Sequence, residues 1–226
     1  MNSIIIPIYN EKDNLDRIFQ KVAALPFEKE IVMVDDFSTD GTRALLEKYK
    51  TMKNVRVVYH NRNMGKGAAI RTGIQHTSGD IVMIQDADLE YNPDELPGLA
   101  SIIEQGKADV VFGSRFLGEH EKKYLNVFYW GNMFLSLLIS LVYGRKVTDM
   151  ETCYKVFRSK VIKSFHLNAN RFDFEPEITA KVLKSGCRLV EVPISYHSRS
   201  YEEGKKIGWR DGLVAIYSIL KYRFVD

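Results

Sequence analysis

An apolar run at residues 81–84 leads into Asp86-Ala87-Asp88, two carboxylates one residue apart. In an extended backbone, positions i and i+2 face the same way. Asp86 and Asp88 can therefore converge on one divalent cation. An all-oxygen donor set suits Mg²⁺ or Mn²⁺, which commonly complete their shell with substrate phosphates. Read alone, the pair equally fits turn residues that cap the segment beginning Tyr91-Asn92-Pro93. Two further polar clusters belong to the same chemistry. Pro7-Ile8-Tyr9-Asn10-Glu11 and Asp35-Asp36-Phe37-Ser38 each follow an apolar run. Carboxylates such as Asp35 and Asp36 can accept from the N–H groups of uracil or guanine, and Tyr9 can cover a base. One residue among Asp35, Ser38 and Asp40 is also needed simply to cap the next helix. Asn63-Met64-Gly65-Lys66-Gly67 is a glycine-rich turn at a helix start. The N–H groups and dipole of such a start suit phosphate, which makes Lys66 and Gly67 candidates for the donor. Walker spacing is absent.

The elements that must position these groups alternate. Strands are expected at residues 3–9, 30–36, 55–60, 80–86 and 109–115. Helices are expected at 13–25, 40–49, 65–77 and 93–105 between them. The first, second and fourth strands are near-continuous apolar runs, as in sheets covered by helices on both faces. The pattern predicts an α/β fold, a single doubly wound and mostly parallel sheet of Rossmann-like type. Ligands bind such sheets beyond the carboxyl ends of the strands, and the polar clusters fall there. The second half is less regular. It offers an apolar helix at 124–143, a short strand at 154–158, a helix at 172–186, a strand at 188–197 and a helical tail at 207–226. The chain reads as one domain, 1–226, with a nucleotide-sugar half at 1–115 and an acceptor-side half at 116–226.

The 226 residues carry a net charge of +3, with 45% hydrophobic and 27% charged residues, ordinary for a globular domain. No basic arm or zinc spacing points to nucleic acid. Cys153 and Cys187 cannot build a disulfide framework and indicate a reducing compartment. The first residues lack a basic region and cleavage site, so no signal peptide is expected.

In order and spacing, Pro7-x-Tyr9-Asn10-Glu11, Asp35-Asp36-x-Ser38-x-Asp40-Gly41-Thr42, Asn63-x-Gly65-Lys66-Gly67-Ala68, Asp86-x-Asp88 and Gly113-Ser114-Arg115 resemble glycosyltransferase family 2. The branch they look most like is the polyprenyl-phosphate hexose synthases, dolichyl-phosphate mannose synthase among them. The resemblance runs from about residue 3 to about residue 212. It implies that Pro7, Tyr9, Glu11 and Asp36 hold the donor nucleoside. Asp86 and Asp88 would bind the metal, with Glu90 as a third ligand where the branch often has Gln. Arg115 would meet the lipid phosphate, and Arg199 and Lys205 would close over the pyrophosphate as a lid. Asp149 matches a position near the acceptor, as an orienting residue or, for an alcohol acceptor, the base. Phe37 departs from the small residue usual after Asp-Asp. Lys122 and Lys123 stand where relatives often carry a second arginine.

A lipid phosphate is already ionised near neutral pH and needs no general base, so positioning and charge stabilisation would dominate. One in-line displacement gives a β-linked lipid phosphate sugar, with Asp88, Arg115 and Asp149 at the reaction centre. Asn132, Ser136 and Ser140 make a polar stripe on the apolar helix. The expectation is therefore an interfacial or buried helix lining the acceptor groove, not a membrane span. The tail alternates apolar residues with Lys206, Arg210, Lys221 and Arg223. Attachment is expected to be peripheral, on the cytoplasmic face of the membrane, direct or through a membrane-protein partner. Competing readings are a family 2 transferase with a sugar or protein hydroxyl acceptor, a sugar-1-phosphate nucleotidyltransferase, and a binding module without turnover.

Overall fold

Apolar β1 (Asn2–Ile8) is the spine of the sheet, pairing in parallel with β2 (Lys29–Asp35) and β4 (Ile81–Ile84). This computed structural model describes residues 1–118, 127–197 and 208–225. Beyond β2 lies β3 (Val55–Tyr59), also parallel. Beyond β4 come β6 (Lys155–Arg158), β5 (Val110–Ser114) and β7 (Leu189–Pro193), giving the order β3-β2-β1-β4-β6-β5-β7. Among the described residues, six of the seven strands of the sheet point the same way. The exception is β6, antiparallel to both β4 and β5. β4 and β5 follow each other in the chain but do not pair in the sheet. Instead, β6 returns from the second half of the chain and lies between them.

Side-chain alternation along β1 decides which helices cover each face. Ile4, Ile6 and Ile8 pack with Leu15, Ile18 and Val22 of α1 (Leu15–Ala23) and with Leu96, Leu99 and Ile103 of α4 (Leu96–Glu104). Ile5 points the other way, toward Ile70 and Ile74 of α3 (Lys66–Gln75) and Phe174, Ile178 and Val182 of α7 (Phe174–Lys184). These β1 isoleucines are at most 1% exposed; fully burying such a side chain stabilises by roughly 1.5–3 kcal/mol. α1 forms because Leu15, Ile18, Phe19 and Val22 recur at helical spacing on one face.

The expected helix at 40–49 is α2 (Thr42–Leu46) followed by a 3₁₀ turn. Asp40 is the acid that caps this region, its Oδ1 accepting from Thr42 N at 2.9 Å and Thr42 Oγ1 at 2.6 Å. A short helix after β6, α6 (Ser159–Ser164), escapes the sequence pattern. α5 (Val127–Tyr143) and α8 (Trp209–Phe224) pack together over α7 through Leu135, Ile139, Leu183, Ala215 and Ile219. The polar stripe of α5 does not line a groove. Ser136 is buried and its Oγ accepts from Met150 N at 3.0 Å. Ser140 Oγ accepts from Val147 N at 2.9 Å. Ser140 and Ser136 thus satisfy the backbone N–H groups of Val147 and Met150, and the apolar side of α5 faces outward.

Candidate active site

At the carboxyl ends of β1 and β4, where the connections run toward opposite edges of the sheet, lies a cleft of about 400 Å³. Pro7, Tyr9, Glu11 and Asp36 line it, as do Asp86, Asp88 and Glu90. Lys66 and Arg115 complete the expected set there. Loops from five separate strands therefore meet where a doubly wound sheet binds ligands.

Asp36 and Asp35 part company. Neighbours on a strand face opposite ways, and only Asp36 reaches the cleft. One of its oxygens accepts from Met64 N at 2.8 Å and the other from Gly65 N at 2.7 Å. His60 Nδ1 lies 2.7 Å from the first. Asp36 thereby pins the glycine-rich turn. Asp35 is fully buried outside the cleft, bound to Arg43 Nε at 2.6 Å and to Ser38 N. The donor-binding reading of Asp35 is corrected: its carboxylate is committed to Arg43 and a turn.

The turn is also less open than its glycines suggest. Gly65 has φ +96, and a Cβ there would sit 2.3 Å from Asn170 O. A Cβ on Gly67 would meet Ala169 O at 2.8 Å. Both glycines let α3 approach the 169–171 segment, and Ala68 N donates to Asn170 O at 3.0 Å. Gly67 lies outside the cleft lining, so its role is packing against that segment. Of this turn, Lys66 carries the functional group.

Lys66 Nζ lies 2.8 Å from each oxygen of Asp86. It is also 2.8 Å from Cys153 Sγ and 3.8 Å from Glu175 Oε1. Burial opposes its charge, but Asp86, Cys153 and Glu175 outweigh that and raise its pKa well above the usual lysine value. Burial, with Asp86 beside it, likewise pushes the Cys153 thiol up. Glu90 accepts from the Tyr196 hydroxyl at 2.9 Å, and Asp88 Oδ1 accepts from Glu90 N at 3.2 Å. Among the described residues, no three His, Cys, Asp or Glu side chains form a ready metal cluster. Asp86, Asp88 and Glu90 are therefore neighbours in one cleft, not a closed three-ligand cage. The donor set still fits a hard cation, since it is all oxygen and one carboxylate already holds a cationic ammonium.

Arg115 and Asp149 form a bidentate ion pair in the cleft wall. Arg115 Nε and Nη2 each donate to Asp149 at 2.7 Å, and Arg115 N adds a third bond at 2.9 Å. Asp149 is fully buried and does not line the cleft. The orienting role is the one its geometry suits. Its expected alternative as a base is corrected, because both oxygens are held by Arg115. The guanidinium also lies 5.0 Å from the centre of the Tyr196 ring.

The sequence reading missed Glu151, Cys153, Arg171 and Glu175, all lining the cleft. Glu151 and Glu175 each bury an oxygen with no hydrogen-bond partner. Burial, reinforced by the Glu175 charge, pushes the Glu151 carboxyl up to about 7. One signal was present. Phe172-Asp173-Phe174-Glu175-Pro176-Glu177 puts acids among aromatics at a helix start. Arg199 and Lys205, together with Lys122 and Lys123, lie outside the described residues.

Residues 3–165 match the sequence profile of Glycosyl transferase family 2. The chain belongs to glycosyl transferase family 2. Similar family 2 relatives include the dolichol-phosphate mannosyltransferase of Pyrococcus furiosus, 30% identical over 228 residues, covering 97% of this chain and 64% of the relative. Another is the dodecaprenyl-phosphate galacturonate synthase of Rhizobium johnstonii, 29% identical over 209 residues, covering 90% of this chain and 61% of the relative. The chain thus spans less than two thirds of the length of these curated relatives. Its fold matches glucosyl-3-phosphoglycerate synthase from Mycobacterium tuberculosis in complex with Mn²⁺, uridine diphosphate and phosphoglyceric acid. That match has TM-score 0.74 at 18% identity and covers 100% of this chain and 79% of that one. It also matches S. aureus TarS in complex with UDP-GlcNAc, with TM-score 0.63 at 20% identity, covering 98% and 66%. The mostly parallel sheet is therefore the nucleotide-sugar glycosyltransferase type A fold expected of family 2.

Proposed function

We propose that this chain moves a hexose from a nucleotide sugar, GDP-mannose or UDP-glucose, to a polyprenyl or dolichyl phosphate. The product is a β-linked lipid phosphate sugar. One observation carries the reading: a single cleft holds the Asp86–Asp88 carboxylates and an Arg115 guanidinium locked in place by a buried acid. The relatives named for polyprenyl- and dolichol-phosphate substrates support the same acceptor.

Pro7, Tyr9, Glu11 and Asp36 would seat the nucleoside, with Lys66 near the diphosphate. Asp86 and Asp88, with Glu90 beside them, would hold Mg²⁺ or Mn²⁺. That ion, when bound, offsets the charge growing on the leaving diphosphate. Arg115 would meet the acceptor phosphate. A phosphate oxygen attacks the anomeric carbon, the bond to the diphosphate oxygen breaks on the opposite face, and nucleoside diphosphate leaves. No proton is transferred, so no base is required. This agrees with Asp149 being sealed behind Arg115 and disfavours the hydroxyl-acceptor reading.

The outward faces of α5 and α8 support peripheral membrane contact. Trp130, Phe134, Leu137 and Leu141 are 54–72% exposed, and Leu213, Tyr217, Leu220 and Phe224 are 47–86% exposed. Each set recurs at i, i+4, i+7, i+11, a continuous stripe. Such a surface matches an interfacial helix pair more than an ordinary solvent face. No described helix is long and apolar enough to cross a membrane.

The test is transfer of labelled hexose into an organic phase from each donor, with Mg²⁺ or Mn²⁺ and a polyprenyl phosphate. Asp88→Ala should lose transfer by at least about 100-fold while keeping its fold. Full activity in that variant would sink the metal assignment.

A further inference from the structure

Lys66 sits on both oxygens of Asp86 at 2.8 Å, so the face that a divalent cation would need is taken by an ammonium. Glu175 offers that ammonium a second seat. Its side chain is 5% exposed, its Oε1 has no hydrogen-bond partner, and that oxygen lies 3.8 Å from Lys66 Nζ. A move of about 1 Å would bring the pair to hydrogen-bond distance. A buried carboxylate oxygen without a donor carries a standing free-energy cost, which the move would remove. Glu175 itself is fixed. Its Oε2 accepts from Lys155, which is fully buried and also donates to Met150 O at 2.9 Å and to Thr152 O. All three donors of Lys155 are thereby used, so Lys155 cannot be the cation that moves. The Lys66 side chain is 17% exposed and borders the cleft.

We propose that Lys66 is a resident cation that shuttles between Asp86 and Glu175, holding Asp86 until a divalent ion arrives and yielding it to that ion by stepping onto Glu175. This rests on the assignment of Asp86 and Asp88 as metal ligands. Lys66 then competes with the metal for one carboxylate, so the ion alone binds weakly. Glu175 assists the ion without touching it and is a positioning residue.

Binding of Mn²⁺ alone to the purified chain, followed by the electron paramagnetic resonance signal of free Mn²⁺, reads this directly without turnover. Lys66→Gln keeps a hydrogen-bond donor beside Asp86 and removes the charge; Lys66→Met removes both. Either should tighten Mn²⁺ binding tenfold or more, with a thermal melt confirming the fold. Glu175→Gln should weaken it about threefold to tenfold by removing the second seat. That weakening should vanish in the Lys66→Gln/Glu175→Gln pair, because no ammonium is left to rehouse. Unchanged Mn²⁺ affinity in both Lys66 variants would overturn the exchange. So would a Glu175→Gln effect that persists in the double variant. Asp88→Ala separates the two claims: if it binds Mn²⁺ like the parent, the metal assignment fails and the exchange with it. If it loses Mn²⁺ while the Lys66 variants bind as the parent does, the exchange alone fails.

Discussion

Glu151 stores a measurable pH dependence. Its carboxyl is raised from an ordinary 4.5 to about 7, first by burial and then by the Glu175 charge. The folded state therefore holds its proton more tightly than the unfolded chain does. Stability falls as pH rises from about 4.5 to about 7 and levels off above that. Glu151→Gln should gain up to about 3 kcal/mol at pH 8 and almost nothing at pH 4.5. Urea unfolding at the two pH values reads it, and an equal gain at both would refute the assignment. Asp149→Asn tests the opposite case, a buried ion pair broken from one side. It should cost about 3 kcal/mol of stability and, by loosening Arg115, lower transfer to lipid phosphate by about 100-fold. Stability lost with transfer unchanged would remove Arg115 from the acceptor site. At this scale the sequence was readable where one strand end carries both groups, as with Asp86 and Asp88. Glu175 and Cys153 were not readable, since they reach Lys66 from 109 and 87 positions away along the chain. Asp35 was misassigned although strand geometry already opposed it to Asp36.

The glycine-rich turn shows how one element can carry two demands. Phosphate chemistry explains why it opens a helix, but Gly65 is required by Asn170, a contact no local pattern displays. Gly65→Ala combines φ +96 with a 2.3 Å clash against backbone, so it should destabilise by more than about 2 kcal/mol and lose nucleotide binding. Gly98 lies within α4 with nothing near its Cβ position, and Gly98→Ala should stabilise by about 0.5–1 kcal/mol. Thermal melts of the two variants check both signs. α5 shows the reverse limit. Its length and apolar composition were legible, but not the direction of its polar stripe. Ser136 and Ser140 turn inward because the backbone at 147 and 150 needs acceptors.

For the molecule as a whole, the two apolar stripes on α5 and α8 belong to one helix pair. Leu137→Glu with Leu220→Glu should reduce binding to anionic lipid vesicles by at least about tenfold, since each change both removes apolar area and adds repulsive charge. Nucleotide binding should be unaffected, because neither residue lines the cleft. Vesicle co-sedimentation beside a nucleotide titration separates the two. The overall fold class was legible because β1, β2 and β4 are apolar runs divided by helices. The place of β6 was not, since pairing across the sheet is decided by contacts far apart in sequence.

That place has a consequence for how the chain is born. β5 leaves the ribosome with no neighbour to pair with: its partners, β6 and β7, are still to be made. Val110 waits for Phe157 and Leu189, and the open edge of β4 waits for Phe157's neighbour Val156. Until then two strand edges are bare, the condition that invites mispairing. A nascent chain stopped near residue 115 is expected to expose this edge and be captured by chaperones or aggregate. One stopped beyond residue 193 carries every strand of the described sheet.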